Sequence, residues 1–143
     1  MVKKEHQRRP VAEPFDLRDG RAMVSLGPLS AKKYCTYSCG FCYVQADFSP
    51  YGSLDVGDIS EWVGCQNPND FDIIYISGDT DSLAPPRQPQ GIRLIEEMLS
   101  YGKDVLFTTR AMLEPSAMTV LKRLAAEAAT TGHFLFGCVS VAQ

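Results

Sequence analysis

Short apolar runs rich in β-branched residues alternate along this chain with longer stretches whose apolar positions recur three and four residues apart. The first rhythm predicts buried strands and the second amphipathic helices. "RAMVSLGPLS" is a short run that stops at Gly27 and Pro28, as a strand entering a loop does. After a polar, turn-rich segment, Ile59, Trp62 and Val63 fall at helical spacing behind Asp58, a candidate N-cap. "FDIIYISGDTD" reads as a strand buried on both faces and stopped by Gly and Asp. "GIRLIEEMLSYGK" puts Ile92, Ile95, Met98 and Leu99 on one helical face and stops at Gly102. "DVLFTTR" is a third strand, "EPSAMTVLKRLAAEAATTG" a helix opened by Pro115 and Ser116 and stopped by Gly132, and "HFLFGCVSVA" a fourth strand.

The order is therefore β, α, β, α, β, α, β, and strands alternating with helices imply right-handed crossovers and a parallel sheet. The expected class is α/β. The last strand runs to within two residues of Gln143. It is expected to leave an open sheet edge, to continue into a missing segment, or to be covered by a partner chain.

Composition fits one globular domain: 143 residues, 45% hydrophobic, 22% charged, with a formal net charge of −3. That balance argues against general disorder and against a strong overall affinity for nucleic acid. Residues 1–20 are locally basic, with Lys3, Lys4, Arg8 and Arg9, and read as a flexible tail; residues 21–143 form the expected core. No stretch has the form of a signal peptide or a membrane span, so a cytoplasmic location is expected. Five cysteines, an odd number with tight local spacing, make a poor disulfide framework and a good metal or redox site in a reducing compartment.

Three of those cysteines lie in "YCTYSCGFCYV": Cys35, Cys39 and Cys42, spaced Cys-x3-Cys-x2-Cys. Soft thiolates select zinc, Cu(I) or an iron–sulfur cluster. A structural zinc would need a fourth ligand, for which Cys65, Cys138 and His133 are candidates, though none sits in a second paired knuckle. Three unligated thiols are the plainest alternative. An iron–sulfur cluster held by three cysteines would leave one iron open to a ligand from outside the protein. Cys65 reads as a half-buried small residue and Cys138 as part of the core.

"CTYSCGFCY", just after the first predicted strand, resembles the cluster loop of the radical S-adenosylmethionine (SAM) superfamily, Cys-x3-Cys-x-aromatic-Cys. The resemblance implies a [4Fe–4S] cluster on Cys35, Cys39 and Cys42, with SAM chelating the fourth iron and Phe41 flanking its adenine. It implies reductive cleavage of SAM to a 5′-deoxyadenosyl radical that abstracts hydrogen from a substrate. The fold implied is a partial, half TIM-like barrel, (βα)3-β, with the site at the C-terminal ends of the strands.

Polar residues stand where that geometry expects them, in "SGDTD", "TTR" and "VS" at the ends of strands two, three and four. These endings are most similar to the spore photoproduct lyase-like branch, which nominates Thr80, Arg110 and Ser140 as SAM contacts. Ser77, Gly78 and Asp79 stand where other members meet the methionyl amino group, and Asp81 competes with Asp79 for that role. The resemblance runs from about Ala22 to Ala142, the first half of a usual family barrel. Gly78 replaces the branch's hydrogen-donating cysteine, so the lyase reaction itself is not expected, and a nucleic-acid substrate would rest on analogy alone. A one-electron reductant of the flavodoxin or ferredoxin type is the implied partner. The competing class is a non-catalytic zinc or iron–sulfur module.

Overall fold

The computed structural model describes residues 15–17, 19–25, 60–61, 63–76, 81–85 and 88–140. Its strands are β1 (Phe15–Asp16), β2 (Ala22–Ser25), β3 (Ile73–Tyr75), β4 (Asp104–Thr109) and β5 (Leu135–Val139). Two helices join them, α1 (Gln88–Leu99) between β3 and β4, and α2 (Pro115–Thr130) between β4 and β5. The sheet order is β1-β2-β3-β4-β5, with β2 to β5 parallel and β1 antiparallel to β2. The chain is thus an α/β protein with a four-stranded parallel sheet. Strand β1, two residues inside the stretch read as a tail, is an addition to the expected order.

Each parallel pair is joined by a crossover, and neighbours in the sheet are neighbours in sequence. Ser60, Glu61, Val63 and Gly64 are helical between β2 and β3, where the sequence predicts a first helix; Asp58, Ile59 and Trp62 lie outside the described residues. The Ser60 hydroxyl donates to Glu97 at 3.1 Å and lies 2.9 Å from the Tyr101 hydroxyl, which ties this turn to α1.

Alternation along β4 buries Val105, Phe107 and Thr109 on one face, where Leu94, Ile95 and Met98 of α1 and Leu121 and Leu124 of α2 also pack. The buried stripe of α1 is centred on Gly91, Leu94, Ile95 and Met98, whereas Ile92 and Leu99 flank it, so the helix is turned slightly from the predicted face. Its cause is Gly91. A Cβ there would lie 1.9 Å from the Ser82 carbonyl oxygen, so only glycine lets α1 approach the β3–α1 loop this closely. Both helices stop where predicted, and Gly102 and Gly132 take φ of +68° and +80°, the left-handed turn that β-carbons disfavour.

Strand β3 is buried on both faces at its start, since the successive residues Ile73 and Ile74 are both inaccessible. Strand β5 is the sheet's edge among the described residues, and Phe136 and Val139 are 44% and 61% exposed. Cys138, expected in the core, is exposed, as are its neighbours Gly137 and Val139 on the other face of this edge strand. Cys65, expected half-buried, is also exposed, at the turn that follows Gly64.

At the N-terminal ends of the strands, carboxylates hold neighbours together. Asp72 accepts the Ala22 amide at 2.9 Å, and Asp104 accepts the Phe134 amide at 2.9 Å and faces His133 Nδ1 at 3.6 Å. In a parallel βα sheet this end supports stability, leaving the opposite end for chemistry. Among the described residues no helix is long and apolar enough to cross a membrane.

Candidate functional site

Four parallel strands bring four chain ends to one side: Ser25, Tyr75, Thr109 and Val139. The segment carrying the cysteine triplet therefore leaves the sheet on that side, at Ser25. Cys35, Cys39, Cys42, Phe41, Ser77, Gly78, Asp79 and Thr80 themselves lie outside the described residues. Of the residues the sequence nominates for SAM, Arg110, Ser140 and the rival Asp81 are described.

Arg110 follows β4 directly and Ser140 follows β5. The register pairs Thr109 with Val139, so Arg110 and Ser140 emerge side by side, the first half-buried and the second exposed. The Ser140 amide donates to the Thr109 carbonyl at 2.7 Å, which extends the β4–β5 ladder to the serine. On the face away from the helices, the Tyr75 and Thr108 hydroxyls lie 3.0 Å apart.

Asp81 organises this end of the sheet. Its carboxylate accepts the Thr109 hydroxyl at 2.7 and 2.9 Å on its two oxygens, the Arg110 amide at 2.7 Å and the Leu83 amide at 3.0 Å. Thr109 is 2% exposed, and its hydroxyl oxygen also accepts the Ala111 amide at 2.9 Å. Hydrogen bonds to a carboxylate are about twice as strong as neutral ones, so this is a firm tie between the β3–α1 loop and the end of β4. Asp81, a rival to Asp79 for a substrate ammonium, has both oxygens engaged by the protein itself.

Sequence reasoning missed this pairing, and also Gln88. The buried Gln88 amide donates to the carbonyls of Leu83 and Met112 at 3.1 and 3.3 Å and accepts the Glu114 amide at 3.1 Å. It thereby fixes the loops that flank α1 and the start of α2. The available signal for Asp81 was local: an Asp two residues before an amide it can accept, as in an Asx turn. Nothing local identifies Thr109 as its partner.

The candidate fourth zinc ligands are dispersed. Cys65 and Cys138 are on separate elements, and His133 is at the opposite end of the sheet, beside Asp104. Among the described residues no three histidine, cysteine or carboxylate side chains form a group able to hold a metal ion. No protein-family model, curated protein or solved structure matches the chain.

Proposed function

We propose that this chain is a radical SAM enzyme core that binds a [4Fe–4S] cluster through Cys35, Cys39 and Cys42 and binds SAM beside it. The observation that carries the reading is the Cys-x3-Cys-x2-Cys triplet on a segment that leaves a parallel sheet at the C-terminal end of its strand. The donor set fits the group: three soft thiolates satisfy three irons and leave the fourth for a ligand that is not protein. In this reading the sheet supplies the first four parallel strands of a partial TIM-like barrel.

When bound, the cluster supplies one electron that breaks a carbon–sulfur bond of SAM, and the carbon fragment released takes a hydrogen atom from the substrate. The chain's own residues bind and orient. Arg110 offers a planar, permanently charged guanidinium, complementary to the single carboxylate of SAM. Ser140 and Thr80 offer hydroxyls, Ser77 to Asp79 offer partners for the methionyl ammonium, and Phe41 offers a face for adenine. A reducing compartment and a flavodoxin- or ferredoxin-type donor belong to the same reading.

Anaerobic reconstitution with iron and sulfide tests it. The reading expects a brown chromophore and, after reduction, an electron paramagnetic resonance signal that changes on adding SAM. A chain that takes up zinc and no cluster, or whose cluster ignores SAM, refutes it.

A further inference from the structure

We propose that Asp81 is the positioning residue for Arg110: by fixing the backbone at the end of β4, it sets the point from which the guanidinium reaches the SAM carboxylate. This rests on the reading of Arg110 as a SAM contact.

Hydrogen bonds converge on Arg110 from both sides. Its own amide donates to Asp81 at 2.7 Å, the preceding Thr109 hydroxyl donates to the same carboxylate, and the following Ala111 amide donates to Thr109 Oγ1 at 2.9 Å. The Thr109 carbonyl in turn accepts the Ser140 amide at 2.7 Å, so one buried threonine links Asp81, Arg110 and Ser140. The bonds of Asp81 with Thr109 and Arg110 span 28 and 29 residues of sequence and join the β3–α1 loop to β4, while its bond with the Leu83 amide shapes the local turn.

The energetic logic follows from the side chain's length. A guanidinium on a flexible stem meets a carboxylate in bidentate geometry only if its Cα is held in place, and displacements near 1 Å at such a site cost much of the interaction. An uncharged amide cannot replace Asp81. Asn has one acceptor oxygen for three donors, and its NH2 group would face either the Arg110 amide or the Leu83 amide donor to donor.

The test is equilibrium dialysis of radiolabelled SAM against the anaerobically reconstituted full chain. D81N and R110A are each expected to weaken SAM binding about tenfold or more, the loss expected of a charge-assisted hydrogen bond. The D81N/R110A double variant should bind no more weakly than R110A alone, because Asp81 acts through Arg110. T109S keeps the hydroxyl and should stay within about twofold of the wild type, whereas T109V should follow D81N. The threonine pair decides the matter if D81N does not fold.

Additive losses in the double variant, or unchanged SAM affinity in D81N and T109V, overturn the positioning role while leaving the proposed function intact. A wild-type chain that assembles the cluster and binds no SAM overturns both.

Discussion

The Thr109 hydroxyl, on a residue 2% exposed, donates to both carboxylate oxygens of Asp81 at 2.7 and 2.9 Å while accepting the Ala111 amide at 2.9 Å. Valine in its place keeps the shape but strands an amide and removes a donor from a carboxylate. T109V should therefore destabilise the chain by about 2 kcal/mol and T109S by far less. Denaturant midpoints at a common slope measure the difference.

Gly91 offers a sharper contrast. In an exposed helix, glycine to alanine stabilises by about 1 kcal/mol. Here the new Cβ would sit 1.9 Å from the Ser82 carbonyl oxygen, a backbone atom that can yield only if α1 and its loop separate. Overpacking costs about 1–3 kcal/mol and occasionally more, so the steric term outweighs the helical gain. G91A should lower the thermal midpoint, and a rise would show that α1 does not pack against the loop as described.

Gln88 is buried and satisfies two carbonyls and one amide on separate loops. Leucine has similar bulk and none of the hydrogen bonds. Q88L should cost about 1–3 kcal/mol and speed hydrogen exchange at the Glu114 amide, which loses its acceptor. Unchanged exchange there would contradict the bridging role.

Cys65 and Cys138 are exposed thiols. Both should be alkylated in the folded chain without denaturant, with labelled peptides counted by mass spectrometry. Slow labelling of Cys138 would mean that the outer strand β5 is covered in solution.

What the sequence made legible was whatever depends on periodicity and punctuation. The short apolar run in "DVLFTTR" forecast β4, the two glycines forecast where α1 and α2 stop, and Pro115 forecast where α2 starts. The rotated face of α1 was hidden because it depends on one close approach, at Gly91, rather than on the spacing of large apolar residues. Strand β1 was hidden because two residues give no alternation to read. Cys138 lies in an apolar run that resembles a central strand, but among the described residues β5 has a neighbour on one side only, a property of sheet order. The placement of Arg110 and Ser140 just past the ends of β4 and β5 was readable from the strand boundaries. The Asp81–Thr109 tie was not, since partners 28 residues apart are chosen by register.

The proposed function stands on three thiolates that hold an iron–sulfur cluster, and its direct measurement is iron and acid-labile sulfide per chain after anaerobic reconstitution. Wild-type chain should hold about four of each, with Cys65 and Cys138 still open to alkylation and Cys35, Cys39 and Cys42 protected. The C35A/C39A/C42A variant should hold none. Equal iron and sulfide in the two proteins, or none in either, would contradict the account.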